Sequence, residues 1–179
     1  MAGVVVHPLV TDPLRNFKFR FTIHKPQITG LAQLQFMAVT GLAANTPAIN
    51  YREGGNNTTT RKMPGQTEFP ALTCQRGVAI GSGHLWAWFI EIFHVVQGGG
   101  RGFAGNDFRA DMTLDVLDHP VSLGQTPIKA RFQIFNGWPS AINFSDFDAG
   151  GNALLMESMT IEHEGFVIDV AQSVGAASL

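Results

Sequence analysis

Hydrophobic and polar residues alternate along most of this chain, and a period of two predicts β-strands. The clearest case is the segment 14–23, in which Phe19, Phe21 and Ile23 share one face while Lys18 and Arg20 point the opposite way. The same period recurs in the segments 31–42, 69–80, 108–118, 128–139 and 156–164. We therefore predict about six or seven antiparallel strands, each with one apolar and one charged face.

Two of these strand predictions depend on individual residues. In the weaker pattern that begins at Leu31, the side chains of Leu34, Phe36 and Ala38 are expected to share a face. Pro139 is predicted to end the strand ahead of it, because proline has no N–H to donate to a strand ladder.

A single segment has a helical period. Its apolar positions recur three and four residues apart: Leu85, Trp86, Phe89, Ile92 and Phe93. The spacing predicts a helix over residues 83–96, with Ser82 as its N-cap and the glycines at 98–100 as its end. Trp86 and Trp88 are interpreted as core residues, because one face of the strands must be covered.

The combined pattern predicts a mainly β fold, an antiparallel β-sandwich or barrel with one flanking α-helix. The length of 179 residues fits a single domain, residues 1–179. Residues 1–13 are interpreted as a leader, and residues 169–179 as a loose tail, because neither segment has a period.

A long polar passage interrupts the strands between Tyr51 and Gly77, and it contains no hydrophobic period of its own. Loops of this length in compact domains are usually disordered or functional. Because residues 69–77 resume a strand pattern, the extended arm is predicted to be residues 54–68.

Composition narrows the possible functions. Only 15% of the residues are charged, against about 25% in typical proteins, and this favours a subunit covered by copies of itself. A net charge of −2 gives no basic footprint for nucleic acid. The single cysteine, Cys74, excludes an internal disulfide and fits a reducing compartment. No secretory signal or bilayer-spanning run is recognisable, so we expect the protein to be made and used in a cytosol or exported by a non-secretory route.

The candidate reactive residues form no catalytic constellation. His163 lies between Glu162 and Glu164, but neighbours on a strand point to opposite faces and cannot converge on one metal ion. Cys74 has no partner cysteine nearby and is predicted to be buried and inert. The glycines near residue 100 follow the helix, so they cannot form a phosphate cradle at its start. We predict no enzymatic activity, no metal and no cofactor.

An ordered set of motifs resembles the tail tube proteins of contractile-tailed phages and related phage-like contractile injection systems. The resemblance covers residues 12–168 and is carried by DPLRNFKFRFTI, VTGL (39–42), YREGG (51–55), KMPGQTEFPALTCQRG (62–77), Trp86 with Trp88, RADMTLDVLD, FNGWPS (135–140) and MESMTIEHEGF (156–166). It implies hexameric rings whose inner strands join into a barrel around a lumen, and it implies that these rings stack into a tube inside a sheath.

The resemblance also implies assembly residues, in an arm that is expected to be mobile in an isolated subunit and fixed in a tube. The segment that matches the family's inter-subunit arm comprises Tyr51, Arg52, Glu53, Gly54, Gly55, Arg61, Lys62, Met63, Pro64 and Gly65. Our strand phases separately give a hypothesis for the lumen, which would be lined by Lys18, Arg20, Asp111, Asp115, Arg131, Glu162 and Glu164.

The resemblance implies further partners: sheath protein, baseplate or spike proteins, tube-terminating proteins and a cargo in the lumen. Two alternatives remain open at this point. One is the haemolysin-coregulated tube protein of type VI secretion, which shares the architecture. The other is a small-ligand-binding β-barrel, which would need a dry interior pocket.

Overall fold

The computed structural model describes residues 18–25, 28, 30–52, 54, 59–79, 83–97, 108–117, 128–148, 150–151 and 153–170. Its strands are β1 (Phe19–His24), β2 (Ala38–Thr40), β3 (Ala48–Tyr51), β4 (Arg61–Pro64), β5 (Leu72–Gly77), β6 (Ala110–Leu117), β7 (Ile128–Phe144), β8 (Met156–Glu162) and β9 (Gly165–Val170). The helix of the described part is α1 (His84–Val96), and a 3-10 turn covers Leu31–Gln33. The prediction of a mainly β, antiparallel fold with one helix is confirmed.

The long strand β7 belongs to two sheets. Sheet A has the order β1-β6-β7-β9, and sheet B consists of β2, β5, β8 and the second half of β7. Every pairing is antiparallel. Strands β3 and β4 form a separate two-stranded hairpin.

The core lies where the inner faces of the two sheets meet. Sheet A contributes Ile23, Met112 and Ile134, and sheet B contributes Leu72 and Ile161, all of them fully buried. The alternation of residues read from the sequence explains these faces, because every second side chain of a strand points inward.

Strand β7 does not end at Pro139, and that prediction was wrong. The register with β8 shifts between Pro139 and Ala141, so the proline lies beside a bulge where the ladder is already interrupted. Asn136 has a left-handed φ of 53° just before this point. Gly137 packs so closely that an added Cβ would lie 2.1 Å from the Cε of Met112. These features let one strand bend from sheet A into sheet B.

The predicted face of the segment after Leu31 was also partly wrong. The segment begins as a 3-10 turn, and only its last residues form a strand. Val39 lies opposite the buried Cys74 and packs against the core, whereas Ala38 occupies the other face. Phe36 still packs against the core, so the inward face changes parity between Phe36 and Val39.

Helix α1 covers one side of the core. Leu85 and Trp88 are buried, and the indole Nε1 of Trp88 donates to the backbone oxygen of Phe108 at 2.7 Å. The buried Nζ of Lys25 lies 2.7 Å from Oε2 of Glu91, so an ion pair also holds the helix. The predicted N-cap and the predicted terminal glycines lie outside the described residues.

The outer face of α1 is apolar. Trp86 is exposed, so its assignment to the core was wrong. Its ring stacks on Phe89 at a centroid distance of 5.8 Å, and Phe89 contacts Phe93 at 5.5 Å. Helical spacing does not distinguish an inward aromatic stripe from an outward one when both faces are apolar.

The chain ends differently from the predicted loose tail. Asp169 and Val170, which were assigned to that tail, are the last two residues of β9. Residues 171–179 and the predicted leader lie outside the described part. No helix among the described residues is both long enough and apolar enough to span a bilayer.

Candidate functional site

An exposed β-hairpin has its second strand, β4, within the predicted arm and its first strand, β3, just before the arm. Strands β3 and β4 pair Ile49 with Met63 and Tyr51 with Arg61, and all residues of both strands are exposed. The prediction of a passage without a period missed β4, because this strand has only four residues and no alternation of apolar and polar side chains. The predicted assembly residues Glu53 and Gly55 lie outside the described part.

At the base of the hairpin, hydrogen bonds join the segment before β3 to the segment after β4. The backbones of Asn45 and Glu68 exchange two hydrogen bonds, of 2.9 and 2.8 Å. The hydroxyl groups of Thr46 and Thr67 lie 2.8 Å apart, and Gly65 N donates to a backbone oxygen across the hairpin at 2.8 Å. The hairpin therefore projects from a defined base while its two strands stay exposed.

The outer face of sheet A is organised around a buried carboxylate. Asp115 is only 2% exposed. Arg131 holds it from one side with Nε–Oδ1 and NH2–Oδ2 distances of 2.6 and 3.2 Å, and Arg20 from the other with an NH2–Oδ2 distance of 3.1 Å. Burial acts to raise the pKa of Asp115, but the hydrogen bonds and charges of Arg131 and Arg20 outweigh it and lower that pKa.

This carboxylate is part of a charged row across four strands. Arg20 of β1 pairs with Asp115 of β6, Asp115 with Arg131 of β7, and Arg131 with Asp169 of β9. The signs alternate along the row, so each charge faces an opposite charge. Asp115 also raises the pKa of Arg131, by its hydrogen bond and its charge, and Asp169 adds to the effect.

A second polar cluster joins the same sheet to the β8–β9 turn. Arg109 forms an ion pair with Glu164, and the side-chain amide of Asn136 donates to Oε2 of Glu164 at 2.7 Å. The backbone N–H of Asn136 donates to Oδ1 of Asp111 at 3.0 Å. The hydrogen bond from Asn136, assisted by Arg109, lowers the pKa of Glu164.

The structure gathers most of the predicted lumen residues on one face. Arg20, Asp111, Asp115 and Arg131 lie on the outer face of sheet A, Lys18 directly precedes β1, and Glu164 joins them through the second cluster. Glu162 is separate, because it lies opposite Trp138 in sheet B. The strand phase alone could not assign a residue to one of two sheets.

Several charged residues were missed. Asp169 was assigned to the tail and is in fact a member of the charged row of sheet A. Arg76 and Glu157 form a buried ion pair, with an Nε–Oε1 distance of 3.1 Å, on the inner face of sheet B. The signal for that pair was available, because Arg76 has the same parity as the buried Leu72.

The other candidate reactive side chains, Cys74 and His163, are buried within the subunit. Burial raises the pKa of the Cys74 thiol to about 12, so the thiolate is suppressed at neutral pH. His163 is buried, its Nε2 lies 3.1 Å from the backbone oxygen of Pro70, and its ring lies beside Phe69 and Phe166. Within the described ranges, no group of three or more possible ligands could hold a metal ion.

The fold of this chain resembles that of chains in solved structures of contractile injection particles. A chain of the anti-feeding prophage baseplate superposes with a TM-score of 0.70 at 18% identity, covering 89% of this chain and 97% of that chain. A chain of the sheath–tube complex of an extracellular contractile injection system (PVC) gives 0.69 at 19% identity, covering 95% and 100%. A chain of the anti-feeding prophage tube-terminating cap gives 0.68 at 20% identity, covering 90% and 94%. These identities establish a shared fold.

The comparison with curated protein sequences finds no match. A family model described as T4-like virus tail tube protein gp19 matches residues 15–167, which is most of the chain. The match includes the hairpin, the helix and both sheets except the last three residues of β9. The chain therefore belongs to the T4-like tail tube protein family, a family of structural proteins.

Proposed function

We propose that this tail tube protein is the subunit of the inner tube of a contractile phage tail or phage-like contractile injection system. Copies form homo-hexameric rings, and the rings stack into a hollow tube that conducts DNA or protein cargo. The proposal combines family membership with one structural observation, the projecting β3–β4 hairpin. No enzymatic step is part of the proposed role.

The hairpin supports a stacking role because it is poorly stabilised by its own subunit. A two-stranded hairpin alone is marginally stable in water. Here Ile49 of β3 and Met63 of β4 form an apolar cross-strand pair, and both residues are more than half exposed. Covering this pair with an adjacent ring would remove apolar surface from water and order the arm. The basic residues Arg61 and Lys62 would then lie at the ring–ring boundary.

The outer face of sheet A is the proposed lumen surface. It carries the alternating charged row, and its charges are largely paired within the subunit. A lumen lined in this way offers few unpaired charges to a passing cargo, so it does not trap cargo of either sign. Sheath, baseplate and tube-terminating proteins are the proposed partners, and assembly is proposed to occur in the bacterial cytoplasm.

The stacking role can be tested with the apolar pair of the hairpin. The double variant Ile49→Thr and Met63→Thr keeps strand-forming residues while removing most of the exposed apolar surface. We expect it to form rings that fail to lengthen into tubes, as measured by negative-stain microscopy. The variant Asn50→Ser, on the other face of the same strand, is the matched control and should form tubes of wild-type length.

The outcomes separate the hairpin from the function itself. Tubes of unchanged length from the double variant would refute the stacking role of the hairpin. A wild-type protein that forms neither rings nor tubes, in purified form and with its partner proteins present, would refute the proposed function.

A further inference from the structure

An apolar groove opens between the edges of the two sheets. It has a volume of about 350 Å³ and lies between β1 and β6 of sheet A and the edge strand β2 of sheet B. Thr40 is the polar residue of its lining. The other residues that line it are apolar: Phe19, Met37, Ala38, Val39, Leu114 and Val116. The groove is therefore suited to an aliphatic occupant.

The floor of this groove is continuous with the hydrophobic core. Phe19, Val39 and Leu114 pack against the core and are only partly buried. Met37, at the rim, is 64% exposed, so the residues that the structure describes leave the groove uncovered. Apolar surface that is contiguous in this way usually marks a place where another segment or molecule binds.

The amino-terminal segment has a composition that fits the groove. Residues 4–10 have the sequence VVVHPLV, and residues 1–10 contain no Asp, Glu, Lys or Arg. Valine favours an extended backbone. The groove has room for on the order of ten water-sized atoms, which is about the size of three valine side chains. In the other terminal segment, residues 171–179, the large aliphatic residues are Val174 and Leu179, and they are not adjacent.

This segment also joins the described chain beside the groove. The backbone N–H of Leu117 donates to the backbone oxygen of Lys18 at 3.0 Å, and the next residue, Phe19, already lines the groove. The connection from Val10 to Phe19 can extend over roughly 30 Å. The pair Asp12-Pro13 within it favours a turn. The segment can therefore fold back over the groove of its own subunit, and its tether gives it a high effective concentration there.

We propose that residues 4–10 pack into the groove of their own subunit and cover it, with valine side chains against Phe19, Met37 and Val39. The segment is then an intramolecular cover that keeps the groove out of contact with water and with other proteins while the subunit is free. The match to the tail tube family begins at residue 15, so family membership does not account for this segment. The inference concerns a single chain and does not depend on the formation of rings or tubes.

Cross-linking within the full chain tests the position of the segment. In a Cys74→Ser background, a short bis-maleimide linker should join Val5→Cys to Met37→Cys in most molecules, as identified by mass spectrometry of the digested protein. The control pair is Val5→Cys with Val96→Cys. Val96 is 79% exposed, and it lies on helix α1, which is held near the other end of β1 by Lys25. We expect at least tenfold less linked product from the control pair.

Isotope labelling distinguishes a cover within one chain from a contact between two copies. Labelled (15N) and unlabelled free subunits are mixed in equal amounts before the reaction. Links within one chain join two peptides with the same label, whereas links between chains also give mixed pairs. Linked product no greater than in the control, or mixed pairs at the frequency expected for random partners, would overturn the inference.

A substitution in the segment gives a second readout. The triple variant Val4→Ser, Val5→Ser and Val6→Ser should bind the hydrophobic dye ANS with at least threefold higher fluorescence, because the groove loses its cover. Val174→Ser with Leu179→Ser is the matched control in the other terminal segment and should leave the fluorescence unchanged. Circular dichroism and thermal unfolding establish that both variants fold.

The results are separable from the outcome for the proposed function. Unchanged dye fluorescence in a folded triple variant would contradict the cover. If the wild-type protein forms tubes while no internal link is found, the inference fails and the proposed function stands. If the internal link forms in a chain that never assembles, the cover stands and the proposed function fails.

Discussion

Asp115 is the residue for which the structure makes the most quantitative prediction. The variant Asp115→Asn keeps the shape of the side chain and one acceptor oxygen, but it removes the charge that holds two arginines. The Arg131 contact is bidentate to a carboxylate whose side chain is 3% exposed, and a charged hydrogen bond of this kind contributes about 1.5–3 kcal/mol. The Arg20 side chain is 58% exposed, so its contact adds less than about 1 kcal/mol.

Because the asparagine retains part of these contacts, we expect a loss of about 2 kcal/mol in the free energy of unfolding at pH 7. For a domain of this size, such a loss lowers Tm by roughly 4–8 °C. Urea unfolding followed by circular dichroism measures the difference. The midpoint must be independent of protein concentration, so that unfolding of the subunit is not mixed with dissociation of rings.

The matched control for this prediction is Asp146→Asn. Asp146 lies exposed in the connection between β7 and β8 and also loses one negative charge on substitution. We expect its free energy of unfolding to stay within about 0.5 kcal/mol of wild type, as is usual for surface positions.

The pH dependence has a definite sign. The arginines lower the pKa of folded Asp115 below the usual value of about 3.9, so the unfolded chain takes up the proton first as pH falls. The stabilisation is therefore fully present above about pH 5 and is lost as pH falls through the lowered folded pKa. The difference between wild type and Asp115→Asn should be constant from pH 5 to 8 and should shrink below about pH 4. A difference below 0.5 kcal/mol at pH 7, or one that grows in acid, would refute the reasoning.

Three further predictions concern packing within the subunit. Arg76→Met should lower the free energy of unfolding by about 3 kcal/mol, because it leaves the buried carboxylate of Glu157 without its cation. Adding Glu157→Met should recover most of that loss in urea unfolding. Equal losses in the single and the double variant would contradict this prediction. Gly41→Ala should lower Tm by several degrees, because Gly41 has φ +94° and a Cβ there would lie 2.3 Å from the backbone oxygen of Ala71; an unchanged Tm would argue against that approach. The Cys74 thiol, with its pKa raised to about 12, should resist a thiol-reactive dye at pH 8 until urea unfolds the chain, and rapid native labelling would show that it is accessible.

Local alternation predicted the strands well because burial is decided by side-chain parity. Phe21 and Ile23 are buried in β1, and Met112 is buried in β6, as their patterns indicate. The same reasoning failed at Asp115, which has polar parity and is nevertheless buried. Its burial comes from Arg20 and Arg131 on two other strands, a contact that no short segment contains.

The hairpin and the end of the chain show a second limit. A strand of four residues contains too few alternations to establish a period, so β4 was assigned to the polar arm. Strand β9 has the composition of a strand, but its residues Val167, Ile168 and Val170 are apolar on both faces. Periodicity identifies the inner face of a strand from its apolar residues, so it cannot identify that face when apolar residues lie on both faces.

That last property of β9 links the fold to assembly. An edge strand with apolar side chains on both faces exposes unpaired backbone groups and hydrophobic surface together, and natural monomers usually protect such edges with charge, proline or bulges. Here the charge on the strand is a single acidic residue, Asp169, and the opposite edge of the same sheet begins with the cation Arg20. The acidic charge on β9 and the basic charge on β1 are complementary, so these two edges are suited to pairing between neighbouring copies of the chain. The feature that sequence periodicity could not interpret is thus one that bears on the ring assembly proposed for this chain.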